Sequence, residues 1–195
     1  AANGQVATFY IISGSLQDQP DYMSVSNIQS LIAAGHEIGS HSVTHADLTL
    51  ATAAALTTEM QQSQATLQST FGVQVTDFAY PFGAYNATTI TEGKKYYHSQ
   101  RSVNGGFNSK DNFNINEIKI YEVDSNITVA QVQGWINSAI AQHSWLVLVY
   151  HEIAVTPIAA DDALYTTQPT DFATEMNYLK ASGAATVTVN QALAE

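Results

Sequence analysis

His41 and His45 lie four residues apart in the stretch Gly35-His-Glu-Ile-Gly-Ser-His-Ser-Val-Thr-His45, and no other segment pairs residue types and spacing so well suited to chemistry. Two imidazoles at that spacing project the same way if the segment forms one helical turn, which suits neighbouring ligands of a divalent metal. A zinc protease helix shares the spacing but places a glutamate base directly after the first histidine. Here that position is Ser42, so the peptidase reading drops out. The remaining alternative is a pair of ordinary loop histidines.

The elements that must position these side chains alternate between strand and helix signals. Val6 to Ile12 is a β-branched and aromatic run, and Val25, Ile28, Leu31 and Ile32 keep helical spacing up to Gly35. A strand ends at Ser40, a long helix runs from Thr52 to Phe71, and a short strand over Phe78 to Tyr80 breaks at Pro81 and Gly83. Loops are expected at Asn104 to Gly106 and Asn108 to Asn116, then a strand over Lys119 to Val123 and a helix capped by Thr128 with Val129, Val132, Trp135, Ile136 and Ile140 inward. Trp145 to Tyr150 reads as a strand buried on both faces. A loop from Glu152 to Gln168, a helix from Thr170 to Ala181 and a strand over Thr186 to Val189 complete the pattern. Repeated β-then-α units imply α/β architecture with a parallel sheet, open or closed into a barrel, whose functional residues collect at the carboxyl ends of the strands. His41, the Tyr80-Pro-Phe-Gly83 turn, Asp124 and His151 each directly follow or end a predicted strand. That convergence favours the metal reading of the histidine pair over the loop reading.

Composition narrows the function classes. A chain of 195 residues with 45% hydrophobic content can bury a full core as a single domain over residues 1–195. Its formal charge of −11 repels phosphate backbones and anionic lipid surfaces, so nucleic acid is not an expected partner. There are no cysteines, so any metal must be held by His, Asp, Glu and water. The early apolar run Val6 to Ile12 is too short to span a bilayer. Few lysines and much Thr, Ser, Asn and Gln suit a mature secreted bacterial domain.

In order along nearly the whole chain, Ala7-Thr-Phe-Tyr10, the Gly35 to His45 stretch, Tyr80-Pro-Phe-Gly83 and Leu146-Val-Leu-Val-Tyr-His151 resemble the polysaccharide deacetylase family, carbohydrate esterase family 4, also called the NodB-homology domain. The resemblance implies a distorted (β/α) barrel that hydrolyses N- or O-acetyl groups on an acetylated polysaccharide with one divalent metal, usually zinc. It implies that His41 and His45 bind the metal and that His151 is the general acid, with Asp124 the best-placed carboxylate to orient it. Backbone N–H near Tyr80 is expected to stabilise the oxyanion. Tyr80, Pro81, Phe82, Gly83 and Arg101 are the substrate-side candidates, with Phe82 and Tyr85 the better-placed rings for stacking on sugar.

The sequence departs from the family pattern in two respects. The family opens with Thr-Phe-Asp-Asp-Gly on an earlier strand, whose aspartates are the catalytic base and third metal ligand, and this chain begins too late to contain it. Asn3-Gly4 looks like the end of the helix after that strand, so the first βα unit is expected to be cut off, disordered or carried on another polypeptide, a separate N-terminal segment that would supply the aspartates. Asp161-Asp162 is read as a loop or helix-start pair. The arginine often found before the Tyr-Pro-x-Gly turn is Ala79 here, and Arg101, the sole arginine, is a candidate substitute or a surface ion-pair residue. The competing class is a non-catalytic carbohydrate-binding relative that keeps the groove.

Overall fold

The computed structural model describes residues 4–16 and 21–194; Asn3, Pro20 and the side chain of Asp161 lie outside the described residues. The chain runs through β1 (Thr8–Ile11), α1 (Val25–Ala33), β2 (Glu37–Ser40), α2 (Ala53–Thr57), a π-turn (Thr58–Gln62), α3 (Ser63–Phe71), β3 (Asp77–Ala79), α4 (Ala87–Gly93) and β4 (Ser99–Gly105). It continues through β5 (Asn108–Ser109), β6 (Ile118–Glu122), α5 (Val129–Gln142), β7 (Ser144–Trp145), β8 (Leu148–Val149), β9 (Glu152–Ile153), β10 (Thr166–Thr167), α6 (Pro169–Ala181) and α7 (Val189–Leu193). Six strands follow the order β1-β2-β3-β4-β6-β8, and the β1–β2, β2–β3, β3–β4 and β6–β8 pairs are parallel. The βα alternation read from the sequence is therefore a parallel α/β sheet.

The residues group into two compact units. One comprises Val6–Ser102, Asn114–Ile118 and Thr186–Glu195. Its apolar core joins strand residues Ile11, Ile38 and Phe78 to Ile28, Leu56, Met60 and Leu67 from the helices. Helix starts are set by hydroxyl caps, with Ser24 accepting from Asn27 N and Thr52 from Ala55 N. On the opposite strand face Tyr10 lies over Gly39, its register partner; a Cβ at that position would sit 2.6 Å from the tyrosine ring, so glycine is required for the ring to pack. The other unit comprises Ala1–Gln5, Val103–Phe113 and Lys119–Ala185, with a core of Val123, Val132 and Ile136 against Trp135, Leu148 and Tyr150.

Several expected elements differ, among them the loops expected at Asn104 to Gly106, Asn108 to Asn116 and Glu152 to Gln168, which hold the end of β4 and the short strands β5, β9 and β10. The helix over Thr52 to Phe71 is interrupted by the π-turn. Trp145 to Tyr150 is not one strand buried on both faces but the short β7 and β8, because β7 pairs antiparallel with β5 while β8 pairs with β6. Different partners at its two ends split the run, and within it only Val149 is buried. Thr186 to Val189 is not a strand. Thr188 caps α7 by accepting from Gln191 N, and Gln191 accepts in turn from Thr188 N, so a capping box overrides the β-branched run.

The first residues of β1 to β4 form a polar cluster at one end of the sheet, with Asp77 and Ser99 buried. Glu37 accepts from Thr8 Oγ1 at 2.8 Å and from Asn190 N at 3.1 Å, tying α7 to the strands. Asp77 has no exposed surface and accepts from Ser99 Oγ and, at 3.1 Å, from Thr76 Oγ1. Burial first, then the neighbouring Glu37 carboxyl, pushes the Asp77 pKa up to about 7, so Asp77 holds a proton beside Glu37. Because the folded pKa exceeds the ordinary value of 3.8, the stability Asp77 contributes is full below about pH 4 and is lost as pH rises through about 7. Asp77→Asn keeps a neutral side chain there at every pH. Thermal midpoints measured between pH 4 and pH 8 should fall in the wild type relative to Asp77→Asn; parallel pH profiles would show that the pair does not share a proton.

Candidate functional site

The candidate metal residues follow β2. His41 N–H still donates to Ile11 O at 2.9 Å, after which the chain leaves the sheet. The segment is not a helical turn as expected: Ser42 and His45 have φ of 66° and 60°, left-handed values uncommon for residues other than glycine. His45 N–H donates to Ser42 Oγ at 2.9 Å, closing the loop. The rings still converge, with Nε2 of His45 3.1 Å from Nε2 of His41 and ring centroids 4.6 Å apart. His41 Nδ1 lies 2.9 Å from Ala79 O. A carbonyl only accepts, so Nδ1 carries the hydrogen and Nε2 presents its lone pair, the arrangement by which an outer partner orients a ligating imidazole. Two nitrogens at 3.1 Å share a point about 2.0–2.2 Å from each, the usual zinc-to-imidazole distance. Burial lowers the His45 pKa and favours the neutral, ligating form. The pair fits two ligands of a divalent ion. Among the described residues no group of three or more His, Cys, Asp or Glu side chains is placed to hold one.

Beside this loop, the turn after β3 divides the substrate-side candidates. Tyr80 is buried, and its hydroxyl bonds to Gln100 Oε1 at 2.6 Å and to Asn116 O at 3.1 Å. Pro81 is buried as well. Both side chains are packed against protein and brace the turn. Phe82, with φ of 57°, is 67% exposed, and its ring meets the His45 ring edge-on at 4.6 Å. Gly83 takes φ of 66° in the same turn. Tyr85 stacks on Tyr80 at 5.2 Å and bonds to Glu117 Oε2, so it braces the turn. The Tyr80 N–H expected to face an oxyanion instead donates to Arg101 O, and Gly83 and Ala84 donate to Tyr80 O and Pro81 O. Since proline has no N–H, Phe82 N–H is the turn's amide without an acceptor among the described residues.

Arg101 on β4 is the register partner of Ala79. It is only 6% exposed, with its guanidinium 5.0 Å from the centre of the Tyr10 ring. That burial corrects the surface ion-pair reading.

In the other unit, His151 is exposed just after β8, with its ring 5.0 Å from Tyr165 and its Nε2 3.8 Å from Glu122 Oε1. The carboxylate within ion-pair reach is thus Glu122 and not Asp124. Asp124 accepts from Asn126 N at 2.8 Å and lines a cavity of about 200 Å³ with Asp171 and Glu175. The alternation of β6 carried the signal for Glu122, which shares a strand face with Ile118 and Ile120, whereas Asp124 falls beyond the strand end. His36 accepts from Ala7 N, and His98 and His143 are exposed, as structural or solvent histidines.

Removing the Tyr80 hydroxyl would leave two acceptors without their donor. Tyr80→Phe should cost about 1–3 kcal/mol in urea unfolding, the penalty for losing buried hydrogen bonds. Unchanged stability would contradict this supporting role.

The polysaccharide deacetylase family model matches residues 1–100, a span that includes His41, His45 and the Tyr80 to Gly83 turn and ends before Asp124 and His151. A chitin deacetylase from Pestalotiopsis sp is 36% identical over 99 residues, covering 50% of this chain and 33% of that protein, so the chain spans about a third of that relative's length. The Xyl-CE4 domain of a multidomain xylanase from the hindgut metagenome of Trinervitermes trinervoides shares the fold over 99% of this chain and 78% of that one, with a TM-score of 0.66 at 21% identity. A family 4 carbohydrate esterase from Streptomyces lividans, solved with acetate, gives a TM-score of 0.61 at 19% identity over 95% and 79% of the two chains. No helix among the described residues is long and apolar enough to cross a membrane.

Proposed function

The chain belongs to the polysaccharide deacetylase family, and from that premise we propose that it removes N- or O-acetyl groups from an extracellular polysaccharide, as a single catalytic domain using one divalent ion, zinc. The observation that carries this reading is the pair of Nε2 atoms 3.1 Å apart, with His41 held in its ligating tautomer by Ala79 O. An ion bound there would supply a Lewis acid for the acetyl carbonyl and a means of acidifying water. Two imidazoles alone hold such an ion loosely, so a third ligand would be needed to complete the site.

The chain's own groups take the remaining roles. Phe82 N–H is oriented in the turn as a donor for a developing oxyanion, and the exposed Phe82 ring offers an apolar face to an acetyl group or sugar. His151 is assigned the general acid, protonating the departing amine or alkoxide. It must start as imidazolium, and the carboxylate placed nearest to it is Glu122, with Oε1 3.8 Å from its Nε2.

Acetate release from a panel of acetylated chitin, xylan and peptidoglycan fragments tests the reading and identifies the glycan. Chelation or His41→Ala should abolish release, and His151→Ala should reduce it by about 10²–10⁴ with the fold intact. A chelated protein that still releases acetate at the full rate would overturn the metal assignment, and a fully active His151→Ala would remove His151 from the reaction.

A further inference from the structure

We infer that Glu59 is the positioning residue of the His41–His45 pair, clamping the backbone between the two imidazoles and so setting their spacing. The inference rests on the proposed divalent-ion reading of that pair. Glu59 Oε2 accepts from Val43 N at 2.8 Å and from Thr44 N at 2.9 Å, while Oε1 accepts from Thr44 Oγ1 at 2.7 Å. Its carboxylate therefore takes three bonds from the two residues immediately before His45. Bonds to an ionised acceptor are shorter and stronger than neutral ones, and two successive backbone N–H groups form a natural cradle for an anion.

The clamp has something to oppose. Ser42 and His45 are held at φ of 66° and 60°, a backbone state that costs a β-carbon-bearing residue energy and persists only when the surroundings impose it. On the far side of Ser42 the loop is held by the same helical segment, since Ser63 Oγ donates to Ser42 O at 3.0 Å. Glu59 lies within the π-turn over Thr58–Gln62 and Ser63 directly follows it, a local distortion of the kind that often marks functional sites. That turn also presents Met60 O to the Tyr97 hydroxyl at 2.6 Å, which fixes the turn against Ser40 Oγ, the last residue of β2. The strand end, the π-turn and the histidine loop thus form one hydrogen-bonded assembly. Glu59 supplies a carboxylate to it, bonded to the loop backbone between the imidazoles. A glutamine at this position has one carbonyl oxygen for the three donors and turns an amine toward the others.

Three measurements on Glu59→Gln and Glu59→Ala test the inference. Amide exchange at Val43 and Thr44 in the metal-free protein should accelerate at least tenfold, with β1 and β3 amides unchanged. Cobalt or zinc affinity, read by chelator competition, should fall by about 10–100-fold although both histidines remain, as for other partners that orient metal ligands. The imidazole nitrogen signals of His41 and His45 should lose the pattern that their mutual contact gives in the wild type. Faster exchange with unchanged metal affinity would reduce Glu59 to a purely structural residue and overturn the inference. A wild type that binds no cobalt, with His41→Ala behaving identically, would sink the metal reading; the imidazole signals would then decide alone, and unaltered signals in Glu59→Gln would overturn the role assigned to Glu59. Should both Glu59 variants unfold, Thr44→Val removes one of the three bonds and should show the same effects in weaker form, while its failure to do so would count against the clamp.

Discussion

The contact between His41 Nδ1 and the Ala79 carbonyl joins the ends of two neighbouring parallel strands, and the candidate site depends on it. It exists because Ser40 pairs with Phe78, which brings the residue after β2 beside the last residue of β3. A slip of one residue in that register would turn His41 to the other face and point Ala79 O away. The register is itself held by burial, since Ile38 and Phe78 must both enter the apolar core beneath the helices. Packing on one side of the sheet thereby fixes an imidazole tautomer at its edge.

The two ends of these strands carry different polar chemistry. At the carboxyl ends stand the histidine loop and the Phe82 turn, both with left-handed residues and exposed groups. At the amino ends Asp77 is buried and the half-buried Glu37 accepts several donors and is tied to α7 through Asn190. The first arrangement leaves groups directed outward for a ligand, whereas the second uses its polar groups to hold the C-terminal helix. This division agrees with the general placement of function at the carboxyl ends of parallel strands.

Between the ends, Arg101 and Tyr10 fill space that aliphatic side chains would fill in an ordinary parallel sheet. Gly39 makes room for the tyrosine ring, and the guanidinium lies over that ring. Burial raises the Tyr10 pKa, so the phenol stays neutral beside Asp77.

The sequence alone was enough to place His41, the Tyr80 to Gly83 turn and His151 after strands, because apolar periodicity and the Pro-Gly break are local signals. It also identified the histidine pair, although through a helical turn that the structure replaces with a strained loop. Which member of the turn faces outward was not legible: Tyr80 and Phe82 are both aromatic, and only the hydroxyl's partners, Gln100 and Asn116, draw Tyr80 inward. Nor could spacing choose Glu122 over Asp124, since that choice needs the pairing of β6 with β8. The run Thr186 to Val189 has strand composition but no strand partner, and its Thr188–Gln191 capping box wins instead. Glu59 carried no motif at all, because its three donors lie fifteen or sixteen residues away in the chain and meet it only once the helix has packed on the sheet. Residue type and period determined where chemistry is available, while long-range pairing decided which groups are presented and which are consumed in holding them, because a hydrogen bond between distant segments leaves no trace in local sequence.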